Sequence, residues 1–213
     1  MRIAGFAAGP FQTNCYVVAG DEAGEAFVVD PGMGAHARVE ELVRAEGLEV
    51  VAVVLTHGHI DHTRDAAAFG VPTYIHPADR YMLDGGKGLG AETLQLHDAA
   101  HMGEIEQVLD LPGEGEIEVA GICLSTIHAP GHSPGCVMLT TNEVVFSGDV
   151  LFRGSIGRTD FDHSDPDAMR ETLRGPVWDL DDQLTVLPGH GPATTVAHER
   201  ATNPFVREAN QDR

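Results

Sequence analysis

A chain of 213 residues with 42% hydrophobic content carries enough apolar side chain for one full-sized core, so a single domain over residues 1–213 is the expectation. Its formal net charge of −20, with only 13 lysines and arginines, opposes contact with phosphate backbones and argues against a nucleic-acid partner. Apolar runs such as residues 50–55 are far too short to cross a bilayer, and Gly9-Pro10 interrupts the N-terminus before a signal-type stretch develops, so a cytoplasmic protein with no membrane partner is expected.

Strands are predicted at residues 2–8, 14–19 and 26–30, with a turn at 20–24 between the last two, which makes an antiparallel opening. Asp30-Pro31-Gly32 ends the third. Residues 35–46 place Val39, Leu42 and Val43 at helical spacing ahead of Gly47 as a stop, an amphipathic helix suited to packing on a sheet. Residues 50–55 are continuously apolar, as in a strand covered on both faces, and run straight into Thr56-His57-Gly58-His59-Ile60-Asp61-His62. A short helix at 63–69 and a strand at 73–76 follow. Between 84 and 112 the pattern weakens. The glycine run at 85–90 lacks the lysine-serine or lysine-threonine ending of a phosphate loop and reads as a mobile surface segment able to act as a lid. The second half repeats the first in outline, with strands at 116–119, 122–128, 136–140 and 144–147, a helix at 166–174, a strand at 184–187 and a terminal helix after Thr194. Blocks of strands with helices outside them predict an α/β fold built as a four-layer αββα sandwich, because two facing sheets need helices on their outer faces.

Cys15, Cys123 and Cys136 are odd in number and widely spaced, which writes neither a disulfide framework nor a cysteine-only zinc site, and all three read as small buried hydrophobes. The chemistry lies elsewhere. His57, His59, Asp61 and His62 fall within six residues, and every one is a metal-ligand type. Residues two apart on an extended turn project the same way, so His57 and His59 can clasp one ion while Asp61 and His62, turning into a helix, reach another. His132, Asp149 and His190 each follow a predicted strand beside glycine, which lets the backbone turn sharply and frees the side chain to point inward. Five histidines and two aspartates exceed the needs of one tetrahedral zinc, so an open site for two divalent ions is expected, zinc first and iron or manganese as alternatives. His36, His76, His97, His101, His128, His163 and His198 lie outside these motifs, and His97 with His101 reads as a polar surface pair.

The run from Asp30-Pro31-Gly32 through His57-Gly58-His59-Ile60-Asp61-His62 to Pro188-Gly189-His190-Gly191 resembles the metallo-β-lactamase superfamily, and its ligand set resembles that of the glyoxalase II-like thioesterases. The resemblance implies that His57, His59, His132 and Asp149 hold a first ion and Asp61, His62, Asp149 and His190 a second. It further implies hydrolysis of a small S-acyl thiol by a metal-bridging hydroxide that Asp61 orients. In the loop after Asp149, Arg158 stands where the family has a lysine, so it is the expected anchor for an anionic part of the substrate, with Asp160 near where an aromatic would stand. Persulfide dioxygenases, which use one iron and oxygen, are the rival resemblance around His57, His132 and Asp149. A non-catalytic metal-binding module is the alternative of a different class.

Overall fold

The computed structural model describes residues 1–21 and 24–212, so Glu22 and Ala23 of the turn expected at 20–24 lie outside the described residues. In the first sheet, β1 (Arg2–Ala8), β2 (Thr13–Ala19), β3 (Glu25–Val29), β4 (Glu49–Val54), β5 (Thr73–Ile75) and β6 (Val108–Asp110) lie side by side in chain order. The first three pair antiparallel, and β3 to β6 run parallel, each parallel step needing a crossover segment. The crossover after β3 is α1 (Ala35–Glu46), which stops where Gly47 adopts a left-handed φ of 65°.

The chain then lays down β7 (Glu114–Val119), β8 (Ile122–His128), β9 (Val137–Thr140) and β10 (Val144–Gly148), a small hairpin of β11 (Leu151–Phe152) and β12 (Ser155–Ile156), and finally β13 (Thr185–Pro188) and β14 (Thr194–Thr195). The second sheet has the order β14-β13-β10-β9-β8-β7, with β13 parallel to β10 and the other pairings antiparallel.

Alternation along the strands sorts the apolar side chains into three layers of core. In β2, Cys15, Val17 and Ala19 face the α1 layer with Val39 and Val43, whereas Tyr16 and Val18 face the second sheet. Phe27 and Val29 of β3 meet Leu139 of β9 and Phe146 of β10 between the sheets. Burying each such side chain contributes roughly 1.5–3 kcal/mol. On the far side Met138, Val145 and Val186 pack against α4 (Pro166–Arg174), α5 (Val196–Thr202) and α6 (Pro204–Ala209) through Met169, Leu173, Val196 and Val206. Strands buried on both faces explain why the sequence runs apolar through β4 and β10 rather than alternating. The architecture is the αββα sandwich that the sequence predicts. Among the described residues no helix is long and apolar enough to cross a membrane.

Several expectations need correction. The helix expected at 63–69 is replaced by a turn of helix at Ile60–Thr63, ahead of a 3-10 turn at Ala66–Phe69. The Asp65 amide bonds the Pro31 carbonyl at 3.0 Å instead of continuing the helix. Cys123 is exposed, not buried, because β8 turns it away from the inter-sheet core beside Leu124; Cys15 and Cys136 are buried as expected. His97 is buried rather than on the surface, its Nδ1 donating to the Thr93 carbonyl at 2.9 Å and its ring standing edge-on to Phe11, while His101 is exposed. Strand β6 arises in the stretch where the pattern weakens, too short to leave a period of its own.

Candidate metal centre

Parallel strands deliver their C-terminal ends to one edge of the sandwich, and the functional side chains stand there. β3 runs into Asp30, β4 into Thr56 and His57, β10 into Asp149 and β13 into His190; His132 comes from the β8–β9 loop. The two sheets are stitched at this edge, with Val137 donating to the Thr56 carbonyl at 2.9 Å, Asn14 to the Gly189 carbonyl at 2.7 Å and the Tyr16 hydroxyl to the Pro188 carbonyl at 2.7 Å. Such close approach dictates residue type. Gly148 has φ 48°, and a Cβ there would strike Thr56; one at Gly189 would strike Asp149 and His62.

The orientation of each imidazole follows from what holds its outer nitrogen. The Thr56 hydroxyl donates to Asp30 Oδ2 at 2.6 Å, so towards His57 Nδ1, 3.1 Å away, it accepts, and His57 Nε2 is left with its lone pair facing inward. His62 Nδ1 donates to Asp30 at 3.0 Å, His132 Nδ1 to the Arg158 carbonyl at 2.8 Å and His190 Nδ1 to the Phe11 carbonyl at 3.1 Å. His59 is reversed: its Nε2 lies 2.7 Å from His163 Nε2, and its Nδ1 faces inward. Inward nitrogens then confront one another, His59 Nδ1 and His132 Nε2 at 2.8 Å and His62 Nε2 and His190 Nε2 at 3.3 Å. His57 Nε2 and Asp149 Oδ1 are buried without any hydrogen bond. Facing lone pairs and orphaned donor atoms are what a cation between them would satisfy, so the residues fit a metal pair.

Two donor sets emerge, His57 with His59 and His132, and Asp61 with His62 and His190, the donor atoms of each within 4.8 Å of one another. Asp149 lies between them, Oδ1 3.3 Å from His62 and Oδ2 3.4 Å from both His132 and His190. Asp30 also approaches His57 and His62, but its oxygens are taken by the Thr56 amide and hydroxyl and by His62 Nδ1, which makes it a positioning residue. Electrostatics separate the sets. Burial, reinforced by neighbouring histidines, holds His57 and His59 well below the usual imidazole range. Burial opposes charge on His62 and His190 too, but Asp61 and Asp149 outweigh it, raising His62 and pushing His190 up to about 9. Burial works against ionisation of Asp61 and Asp149 as well, yet His62 and His190 hold both below the carboxylate range.

All seven residues expected to bind metal therefore stand together, while Arg158 sits at the rim. Its Nε and Nη2 donate to Asp160 at 2.5 and 2.8 Å, and its guanidinium lies 4.4 Å above the Phe161 ring. The aromatic wall of the site is thus Phe161, at 5.1 Å from His59 and 5.7 Å from His132, one residue beyond Asp160. Sequence reasoning missed the supports. Thr13 donates to Asp61 at 2.9 Å, and His163, assigned no role from the sequence, braces His59 and stacks on Phe161. No local spacing marks either one; the only signal was that His163 shares the loop with Arg158.

Residues 8–190 match the profile of the family described as the Metallo-beta-lactamase superfamily. The chain belongs to that superfamily. A Mycobacterium tuberculosis protein is 42% identical over 219 residues, covering 97% of this chain and 98% of its own. Hydroxyacylglutathione hydrolase GloC of Haemophilus influenzae is 32% identical over 204 residues, 92% of this chain and 93% of its own. Two solved structures superpose closely: the BLEG-1 B3 metallo-beta-lactamase with TM-score 0.81 at 33% identity, over 96% of this chain and 99% of that one, and TTHA1623 in a di-iron-bound form with TM-score 0.79 at 35% identity, over 95% and 99%. Superfamily membership and the donor sets together imply divalent metal at this edge of the sandwich.

Proposed function

We propose that this metallo-β-lactamase superfamily chain hydrolyses small thioesters at a centre for two divalent cations. The observation that carries the reading is the inward orientation of five histidines whose outer nitrogens are each held by a fixed partner. His57, His59 and His132 would hold one cation and Asp61, His62 and His190 the other, with Asp149 reaching both. Cations bound there supply Lewis acidity, lowering the pKa of water towards neutrality and polarising an acyl carbonyl.

The chain's own groups do the rest. Asp61, fixed by the Thr13 hydroxyl, accepts a proton bond from the attacking water and orients it. Phe161 closes one side of the approach, and Arg158 sits on that ring with its Nη1 side bearing no hydrogen bond among the described residues, available to an anionic part of the substrate. Such a site suits a thioester, because a thiol with a pKa of about 8.5 leaves as thiolate without a dedicated acid. The similarity to hydroxyacylglutathione hydrolase GloC supports this substrate class. Zinc matches the imidazole and carboxylate donors, and the likeness to a di-iron-bound structure keeps iron as the alternative.

The test is to assay the purified protein against S-lactoylglutathione, other thioesters and a glutathione persulfide, with metal content measured on the same sample. Thioester turnover with two metals per chain is expected. One iron per chain with oxygen uptake on the persulfide, and no thioester turnover, would replace the reading with a persulfide dioxygenase.

A further inference from the structure

Asp79 lies on the 3-10 turn Pro77–Leu83, is fully buried and belongs to neither donor set. A buried carboxylate is costly unless donors surround it, and this one is surrounded. Oδ2 accepts from the Gly58 amide at 2.9 Å and from the Ser133 hydroxyl at 2.5 Å, and Oδ1 accepts from the Gly135 amide at 2.7 Å. Gly58 sits between His57 and His59 at the end of the first sheet. Ser133 and Gly135 follow His132 on the β8–β9 loop of the second sheet. One carboxylate therefore ties together the two loops that bring His59 Nδ1 and His132 Nε2 within 2.8 Å. The approach is close enough to fix residue type: a Cβ at Gly135 would come 2.6 Å from Asp79 Cγ, and one at Gly58 2.8 Å from the Asp79 carbonyl and from Met82.

We infer that Asp79 is a positioning residue that sets the spacing of His59 and His132, and through it the affinity of the three-histidine set for its cation. The second set has separate supports: Asp30 holds His62, Thr13 holds Asp61 and the Phe11 carbonyl holds His190. The effect of Asp79 is accordingly one-sided. A general loss of stability would fall on both sets.

The inference rests on reading the site as a metal centre, and its test reads zinc affinity rather than turnover. Zn²⁺ binding is measured by chelator competition in a His190→Ala background, where the three-histidine set is whole, and in a His132→Ala background, where the other set is. Asp79→Asn should weaken the three-histidine set by roughly 10–100-fold, the cost of losing a partner behind a ligand, and leave the other set within about twofold. Leu173→Ala, a core truncation on α4, should lower the melting temperature and leave both affinities alone. Equal weakening of both sets by Asp79→Asn, or none, would overturn the inference. If Asp79→Asn does not fold, Ser133→Ala decides: removing one bond should weaken the three-histidine set roughly three- to tenfold, and an unchanged affinity overturns the idea. A wild-type chain that binds no zinc or iron would overturn the metal-centre reading and this inference with it.

Discussion

The two donor sets differ in composition, burial and support. His57, His59 and His132 are all imidazoles, none more than 3% exposed, and their loops close on the buried Asp79. In the other set a carboxylate joins two histidines, and the His190 side chain is 26% exposed. Burial and neighbouring histidines disfavour charge on His57 and His59, whereas the carboxylates around His62 and His190 favour positive charge there, whether it comes as protons or as metal. The first set is thus built for rigidity and the second for charge and access. Water would reach the second set first, through His190.

The largest effect is expected from removing the residue that belongs to both sets. Asp149→Asn replaces either Oδ1, which faces His62, or Oδ2, which faces His132 and His190, with an amide nitrogen that cannot accept. Both sets should lose metal, and thioester turnover should fall roughly a thousandfold, the upper end for loss of one electrostatic stabiliser. Metal analysis and kcat on the same sample check it; two metals retained at wild-type turnover would show that Asp149 joins nothing.

A one-sided loss sharpens the contrast. Asp61→Ala and His62→Ala should each cost the second ion and leave the first, with kcat falling roughly a hundredfold and the melting temperature little changed. The fold should survive because both side chains sit at the sheet edge, outside the three apolar cores. Wild-type turnover with one metal per chain would mean that a single set suffices.

How much of this was legible in the sequence depends on range. His57, His59, Asp61 and His62 share one turn, so their density alone marked them, and glycine beside His132, Asp149 and His190 marked the strand ends. The layers were legible for a similar reason: a strand buried on both faces writes an unbroken apolar run, as residues 50–55 do. The supports were not. Asp79 acts on Ser133 across 54 residues, Asp30 on His62 across 32 and His163 on His59 across 104. Their roles exist only once the sheets have brought distant loops together. The short β6 and the β11–β12 hairpin, two or three residues each, were not read from the sequence, although the equally short β5 was.

The smallest expected effect lies at the rim, outside both sets. Arg158 is the most exposed of the sequence-derived site residues: its side chain is 61% exposed, and Asp160 already holds its Nε and Nη2. That pairing holds the guanidinium over Phe161, which in turn stands against His59 and His132, so the cation is held near the first set without touching it. An anion meeting the Nη1 side would be bound in water-accessible surroundings, where an ion pair contributes at most about 1 kcal/mol, or roughly fivefold in affinity. Such a contact, at the rim, would lie away from the reacting carbonyl and would hold equally in ground and transition states. Arg158→Ala should therefore raise KM for anionic thioesters roughly fivefold with kcat nearly unchanged, and should leave a neutral thioester unaffected. Asp160→Ala tests the same geometry from the other side, since a guanidinium freed from its partner loses its fixed position over Phe161. It should raise KM for the anionic substrate by a smaller factor, in spite of removing a competing negative charge. A fall in KM for Asp160→Ala would show that Asp160 restrains Arg158 from substrate, and an unchanged KM for Arg158→Ala across every anionic thioester would leave Arg158 with no part in recognition.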